Sequence, residues 1–345
     1  MAFDALTRAP VPVPAASPKP APAKPAFAFT QRPWWPVVKR GASFVFFGLV
    51  LWLLVAQARA IDWGEVVASI RAYPRHVLAI ATGLAMASYA LYCSFDLLSR
   101  RYTGHKLSHR KVLIATFISY AFNLNLGSLI GGLGFRFRLY SQLGLAPGVI
   151  SRIFGFTMLT NWLGYTLLAG VVCLMQPIAL PEDWSLGSDA LAVLGVVFLV
   201  AVAGYLALCG LSRTRSWTVR GHELRLPSLR LALLQLVLSS ITWAMIAGVI
   251  STLLQHRADY PTVLAALLLA AVAGVITHVP AGLGVLEAVF ITLLTPQVPK
   301  SELLAALLVF RAVHYLIPMG QATLLYLLFE MKVKKPAQAE GTGAG

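Results

Sequence analysis

The sequence has little charge, and most of the charge it has is of one sign. Only 12% of the 345 residues are charged, with 28 Lys and Arg against 13 Asp and Glu. A chain this poor in charge and 58% hydrophobic lacks the polar surface of a soluble domain. Several apolar runs reach the roughly 20 residues that cross a bilayer as a helix. The composition therefore predicts an all-α polytopic membrane protein.

Cysteine is scarce, and the motifs of common enzymes are missing. Cys93, Cys173 and Cys209 lie far apart and form no CxxC, so they imply neither a disulfide framework nor a metal site. The sequence contains no nucleophile elbow, P-loop or HExxH. We therefore expect no enzyme activity, no cofactor and no bound metal.

The chain is predicted to have one transmembrane domain, residues 39–331, between two tails. Residues 1–38 are rich in Pro and Ala, and residues 332–345 are short, so both tails are expected to be disordered. Six apolar runs predict full spans, at residues 42–58, 76–99, 148–176, 190–211, 229–254 and 303–330.

Two further apolar stretches, 111–135 and 262–296, decide the topology. If they cross once each, the acidic loop 180–189 is cytoplasmic and the Arg-rich loop 213–230 is outside, against the positive-inside rule. If each instead enters and leaves at one face, from opposite faces, every basic loop and both termini are cytoplasmic. The favoured fold has about six full spans plus two re-entrant or broken helical hairpins; eight full spans is the alternative.

Each of these two stretches is interrupted by Gly-Leu-Gly. Paired interruptions in the two halves of a membrane protein indicate a binding site built from broken helices. They also suggest an inverted-topology repeat, although Gly-rich matches of this length also occur by chance. The predicted helix-break residues are Gly131, Gly132, Gly134, Pro280, Gly282 and Gly284.

Two ionisable residues lie inside apolar runs near the second break. A charge within a bilayer is costly and by default marks a functional site, so Glu287 and Arg311 are candidates for substrate binding or for a structural ion pair. His314 follows Arg311 by three residues and is expected on the same helix face. Pro318 lacks the N–H that would bond the carbonyl of His314, which predicts a kink there.

Polar residues also flank the first break. Asn123 and Asn125 precede it, and they either bond neighbouring helices or face the site. Arg136 and Arg138 follow it and can supply guanidinium groups to an anion, or they are ordinary cytoplasmic charge. Asp96 lies near a span end and is expected to pair with Arg100.

The segments around both breaks resemble those of the lysylphosphatidylglycerol synthase transmembrane (flippase) domain family, in particular its stand-alone bacterial inner-membrane members. The similarity covers roughly residues 40–330 and rests on two motifs, Ser119-Tyr-Ala-Phe-Asn-Leu-Asn125 with Gly131-Gly-Leu-Gly-Phe-Arg-Phe-Arg-Leu-Tyr140, and Pro280-Ala-Gly-Leu-Gly-Val-Leu-Glu287. The resemblance implies a bacterial inner-membrane location and the movement or handling of anionic or aminoacylated phospholipids. The synthase activity of the large members is not expected, since only about 15 residues follow the last span.

These observations favour a lipid translocase that binds an anionic headgroup between two opposed broken helices. Its partners would be membrane phospholipids and enzymes of lipid synthesis, with no nucleic acid. One alternative is an ion-coupled small-solute transporter in which Glu287 and His314 carry protons. The other is a non-transporting partner that docks lipid-metabolising enzymes through the basic loops or the Pro-rich tail.

Overall fold

The computed structural model describes residues 63–177, 187–212, 216–219, 222–277, 279 and 282–334, with four isolated positions before them. The chain divides into two compact units, Met1–Trp52 and Leu53–Gly345, and all the elements below belong to the second. Most of the predicted span 42–58, the N-terminal tail and residues 335–345 lie outside the described residues. So does Pro280, one of the predicted helix-break residues.

The described residues are almost entirely helical. Their helices are, in chain order, α1 (Trp63–Ala72), α2 (Arg75–Thr103), α3 (His109–Leu126), the π-helix π1 (Ser128–Gly134), α4 (Phe135–Gln142), α5 (Pro147–Met175), α6 (Ser188–Leu211), α7 (Leu229–Leu253), α8 (Tyr260–Thr277), α9 (Val285–Leu294), α10 (Lys300–Arg311), the π-helix π2 (Ala312–Leu316) and α11 (Ile317–Lys334). Two short strands, β1 (Ser216–Val219) and β2 (His222–Arg225), pair antiparallel between α6 and α7.

Local sequence sets several helix ends. Helix α2 ends at Gly104, whose left-handed conformation (φ 72°) lets its N–H donate to the carbonyl of Arg100 at 3.0 Å. Helix α5 begins with Pro147, which needs no backbone donor in the first turn. Helix α7 is capped by the Ser228 hydroxyl, which accepts the N–H of Leu231.

Six helical segments in the described part of the chain are long and apolar enough to cross a membrane: α2, α5, α6, α7, α8, and α10 to α11 taken together. The all-α polytopic membrane fold is thereby confirmed. One detail differs from the sequence prediction, which assigned residues 262–296 to a hairpin alone. Within that stretch α8 has the length of a full span, because its 18 residues precede the glycine break.

Helices α2 and α7 form the antiparallel centre of the bundle. Near the C-terminus of α2, the Tyr102 hydroxyl donates to the carbonyl of Arg225, just before α7 begins, at 2.6 Å. In the N-terminal half of α2, Leu84 lies against Gly248 of α7. A Cβ added to Gly248 would be 3.7 Å from Cδ1 of Leu84. The two contacts fix opposite directions for these helices. The two ends of the bundle can therefore be named by the two ends of α2.

The first hairpin, residues 109–142, enters at the C-terminal end of α2. There Arg100 Nη1 lies 3.1 Å from His109 Nε2, at the start of α3. The chain reverses at Gly127 (φ 82°), and Phe135 on the returning limb stacks on Phe122 with ring centroids 4.0 Å apart. This stretch therefore enters and returns at one end of the bundle, as predicted for a broken hairpin.

The second hairpin, residues 260–294, enters at the opposite end. Helix α8 starts seven residues after the C-terminus of α7, and the Tyr260 hydroxyl donates to the carbonyl of Ala244 on α7 at 2.8 Å. Because α7 runs antiparallel to α2, the start of the second hairpin lies at the N-terminal end of α2. The two broken hairpins thus enter from opposite ends of the bundle, as the loop charges predict.

The tips of both hairpins reach the same long helix at its π-helical turn. Asn125 Nδ2, two residues before the reversal of the first hairpin, donates to the carbonyl of Tyr315 in π2 at 3.3 Å. Arg311, the last residue of α10, donates from Nη2 to the carbonyl of Gly282 in the second break at 3.0 Å. The two glycine breaks therefore converge on residues 311–316.

Candidate functional site

Glycine conformation creates the second break. Gly282 and Gly284 have φ angles of 56° and 77°, in the left-handed region that other residues rarely adopt. Gly284 lies directly before α9, and its carbonyl accepts the N–H of Ala288 at 2.9 Å as the first turn of the helix forms. Glu287 is in that first turn, where the positive end of the helix dipole stabilises a carboxylate.

An ion pair between Glu287 and Arg311 lies at this break. Arg311 Nε and Nη2 donate to the two carboxylate oxygens of Glu287 at 2.5 and 2.9 Å. This is the planar two-bond geometry in which a guanidinium binds carboxylates and phosphates. The side chains are 11% and 21% exposed, so the pair is largely but not fully buried. The sequence predicted this pairing, and the structure contains it.

Arg311 directly precedes the π-helical turn π2, and His314 lies within that turn. The His314 ring is 1% exposed and packs on Phe310 and Tyr89, with centroid distances of 5.2 and 5.4 Å. The expectation that His314 shares a helix face with Arg311 stays a prediction; it assumed α-helical spacing, whereas residues 312–316 form a π-helix, which has more residues in each turn. The carbonyl of His314, which Pro318 cannot bond, accepts the Tyr89 hydroxyl at 3.0 Å, and the kink expected there stays a prediction.

A second buried ion pair lies in the first hairpin. Arg136 Nε and Nη2 donate to the carboxylate of Asp96 at 3.3 and 3.4 Å, and the two side chains are 2% and 0% exposed. Asp96 also accepts the hydroxyls of Tyr140 and Thr157 at 2.8 and 2.6 Å. The expected partner of Asp96 was Arg100, which is wrong: the side chain of Arg100 donates to the carbonyl of Leu107 instead.

The two ion pairs have one feature in common that the sequence did not reveal. In each break, the carbonyl of the first glycine in Gly-Leu-Gly accepts a guanidinium N–H of the arginine. Gly132 accepts Arg136 Nη1 at 3.5 Å, and Gly282 accepts Arg311 Nη2 at 3.0 Å. Each arginine therefore ties a carboxylate to a broken segment of backbone.

Close packing explains the glycines of the first break. A Cβ on Gly131 would lie 2.1 Å from the backbone oxygen of Phe122, and one on Gly132 would lie 2.7 Å from Oδ1 of Asn123. That Asn123 oxygen is buried without a hydrogen-bond partner among the described residues. Gly134, the last residue of π1, has an ordinary helical φ of −59°. The glycines at 131 and 132 therefore allow the two limbs of this hairpin to touch.

Arg138 has yet another carboxylate partner, Glu330 near the end of α11. Arg138 donates to Glu330 from Nε and Nη2 at 3.0 and 2.9 Å, and Gln142 and Tyr326 donate to the same oxygen. Arg136, Arg138 and Arg311 thus bind three different carboxylates. Anion binding by Arg136 and Arg138, and substrate binding by Arg311, stay predictions. Sequence inspection missed Glu330 because it lies at a span end, where charge is ordinary.

The site that the structure assembles from the predicted residues is therefore the meeting point of the two tips. It contains Glu287, Arg311, Gly282 and Gly284, with Asn125 bonded beside it to Tyr315, whose ring centroid is 5.7 Å from the Arg311 Cζ. Among the described residues no three His, Cys, Asp or Glu side chains come together as metal ligands. The chemistry available here is that of one cation, one anion and an exposed backbone turn.

The fold and this site define a polytopic α-helical membrane protein with two opposed broken hairpins. Such interrupted helices, meeting inside the bundle, are the binding-site design of many membrane transporters. Comparison with known proteins then identifies the family.

Residues 41–320 match the family described as lysylphosphatidylglycerol synthase TM region. The chain is 44% identical over 306 residues to inner membrane protein YbhN of Escherichia coli, a match that covers 88% of this chain and 96% of the relative. It is 30% identical over 285 residues to an uncharacterized protein of Synechocystis, slr0712, covering 82% and 88%. The chain belongs to the lysylphosphatidylglycerol synthase TM region family, as its motifs indicated.

Proposed function

We propose that this protein is a multi-pass inner-membrane lipid translocase, with both termini cytoplasmic, that binds the headgroup of an anionic or aminoacylated phospholipid. The location is supported by its likeness to an Escherichia coli protein named as an inner membrane protein. The substrate class is supported by the family, which is described by its relation to synthesis of lysylphosphatidylglycerol, an aminoacylated phospholipid.

The observation that carries the proposal is the partly exposed ion pair of Glu287 and Arg311. Ionised groups inside a membrane protein mark substrate pathways by default because their burial is costly. This pair lies where two broken hairpins meet, and its carboxylate side is 21% exposed. It is held by two hydrogen bonds between the partners and one to a turn of glycines.

An aminoacylated phospholipid carries both kinds of charge that this pair can bind, a phosphate and at least one ammonium. Its phosphate can replace the Glu287 carboxylate on the Arg311 guanidinium, which binds both groups with the same planar geometry. Its ammonium can replace the guanidinium beside Glu287. After the exchange both protein charges still have a partner. The large free-energy cost of breaking a buried pair, which comes from leaving one charge without a partner, is therefore avoided. A purely anionic lipid would use the Arg311 half alone.

The other polar residues have supporting roles in this proposal. Arg136 and Arg138 hold the first hairpin to Asp96 and Glu330, and Asn125 holds its tip to π2. His314 faces Tyr89 and Phe310, which makes proton transfer between His314 and Glu287 the weaker alternative. Enzymes of lipid synthesis remain proposed partners that would receive or supply the lipid.

The test is translocation by purified protein in vesicles. Fluorescent phosphatidylglycerol, lysylphosphatidylglycerol and phosphatidylcholine are compared for wild type, Arg311→Ala and Arg257→Ala. We expect wild type to move the first two lipids, and Arg311→Ala to lose at least about tenfold in rate, since a charge-assisted hydrogen bond contributes about 1.5–3 kcal/mol. Arg257→Ala is the matched control because its ion pair with Glu302 is exposed, at 53% and 40%.

Two results would overturn the proposal. One is that wild-type protein moves none of the three lipids. The other is that the Arg311→Ala protein elutes as a folded species in size-exclusion chromatography and translocates lipid at the wild-type rate.

A further inference from the structure

An apolar groove lies on the outside of the bundle, and none of its lining residues belongs to the Glu287–Arg311 site. It runs between α2, α3 and α11, has a volume of about 550 Å³, and is of the size that holds a small ligand. Its lining comprises Ala90, Cys93, Leu113, Ile114, Phe117, Gln321, Leu324 and Leu325. Gln321 is the only residue among these with a side-chain amide, and the remaining surface is hydrocarbon, sulfur and aromatic ring.

The groove has walls that open toward the lipid phase. Leu113 and Ile114 on α3 are 36% and 38% exposed, and Leu324 on α11 is 60% exposed. In a protein that spans a membrane, such outward-facing side chains contact acyl chains. A groove between them is therefore filled by hydrocarbon rather than by water.

One end of the groove is basic. Arg110 precedes Leu113 by three residues and Ile114 by four, and Lys111 precedes Ile114 by three, which places both on the groove face of α3 one turn nearer its start. Arg101 lies in the last turn of α2 at the same end of the bundle. The side chains of Arg110 and Lys111 are exposed and have no ion-pair partner among the described residues.

The spacing of these features is that of an amphiphile. The basic residues lie about 10 Å along α3 from Phe117 at the far end of the groove, at 1.5 Å per residue. An acyl chain would fit the apolar part, and an anionic group attached to it would reach the basic end. Free phosphate lacks the apolar half, and a soluble peptide does not enter the lipid phase that the groove faces.

We infer that this groove binds one acyl chain of an anionic phospholipid whose phosphate lies against Arg110 and Lys111. The bound lipid fills the gap between α3 and α11 and so braces the first hairpin against the long helix. This lipid site is separate from the translocation site proposed above and does not depend on it.

The test uses a phosphatidylglycerol with a photoreactive diazirine near the middle of one acyl chain. Protein in phosphatidylcholine vesicles containing a small fraction of this probe is irradiated, and the labelled peptides are located by mass spectrometry. We expect label on the segments around Phe117 and Leu324, and competition by unlabelled phosphatidylglycerol but not by phosphatidylcholine.

Two pairs of variants examine the two halves of the site. Ala90→Trp fills the groove and should abolish labelling of those segments, whereas Ala203→Trp, on the exposed face of α6, should not. The double variant Arg110→Gln with Lys111→Gln should weaken probe binding by about fivefold for each residue, since one basic group near an anionic lipid contributes about 1 kcal/mol. Arg71→Gln with Arg75→Gln, exposed at the other end of α2, is the charge control.

Equal labelling of Ala90→Trp and Ala203→Trp would refute the groove as the site of the acyl chain. Insensitivity to the Arg110 and Lys111 changes, with equal labelling by a phosphatidylcholine probe, would refute headgroup selection. Because Arg110 and Lys111 are on the surface, their variant keeps the test valid even if Ala90→Trp does not fold. Labelling that is unchanged in Arg311→Ala would separate this site from the translocation site.

Discussion

The two broken hairpins use the same ion-pair chemistry with different degrees of burial. In the first, the Arg136–Asp96 pair is sealed, with side chains 2% and 0% exposed and two hydroxyls bonded to the carboxylate. In the second, the Arg311–Glu287 pair is 11% and 21% exposed, beside glycines that have open space around them. A charge that is fully enclosed and bonded stabilises one structure, while a partly exposed charge can exchange its partner.

The placement of the charges along the chain is also reversed. In the first hairpin the arginine follows Gly-Leu-Gly and its carboxylate comes from another helix, α2. In the second the carboxylate follows Gly-Leu-Gly and the arginine comes from α10. The shared carbonyl contact of Gly132 and Gly282, together with entry from opposite ends, supports the hypothesis of an inverted repeat. Our proposal assigns a structural role to the first copy and substrate binding to the second.

The largest effect on stability is expected from Arg136→Met. This change leaves the fully buried Asp96 carboxylate without its cation, and breaking a buried pair from one side costs about 3–5 kcal/mol. The free energy of unfolding is measured by titration with a denaturing detergent. Arg138→Met is the matched control: its pair with Glu330 is 17% and 13% exposed, so we expect a smaller loss. Equal losses in the two variants would show that burial does not distinguish these pairs.

Glycine substitutions compare the backbones of the two breaks. Gly131→Ala places a methyl group 2.1 Å from the backbone oxygen of Phe122, and overpacking of this kind costs about 1–3 kcal/mol or more. A methyl group at Gly284 meets no atom within 4 Å, so Gly284→Ala is destabilised only by the positive φ of this residue, by about 1–2 kcal/mol. The same detergent titration measures both. A larger loss for Gly284→Ala would mean that the second break, not the first, is the tightly packed one.

Much of the second site could be predicted from the sequence because its signals are local or rare. Glu287 and Arg311 are charges in apolar runs, where each needs a partner, and few candidates exist. Pro318 freed the carbonyl of His314 by the covalent chemistry of proline alone. The loop charges indicated hairpins from opposite faces without reference to any contact.

The first site could not be predicted in the same way because its partner is distant in sequence. Asp96 and Arg136 are 40 positions apart, and the nearer Arg100 satisfied the usual helical spacing. Which of several arginines reaches a carboxylate depends on how α2, α4 and α5 pack. The π-helical turn at residues 312–316 likewise leaves no signal in the α-helical periodicity from which the facing of His314 was predicted.

The smallest effect on stability, and the sharpest difference between stability and function, is expected from the double variant Glu287→Gln with Arg311→Leu. Each single change leaves one partly buried charge without its partner, whereas the double change removes both charges, and replacing a buried pair by neutral residues is often close to neutral. We therefore expect the free energy of unfolding to return to within about 1 kcal/mol of wild type in the double variant. Lipid translocation in vesicles should remain lost, because the lipid phosphate then has no guanidinium to bind. Recovery of translocation together with stability would show that this pair, like that of Arg136 and Asp96, only holds the hairpin in place.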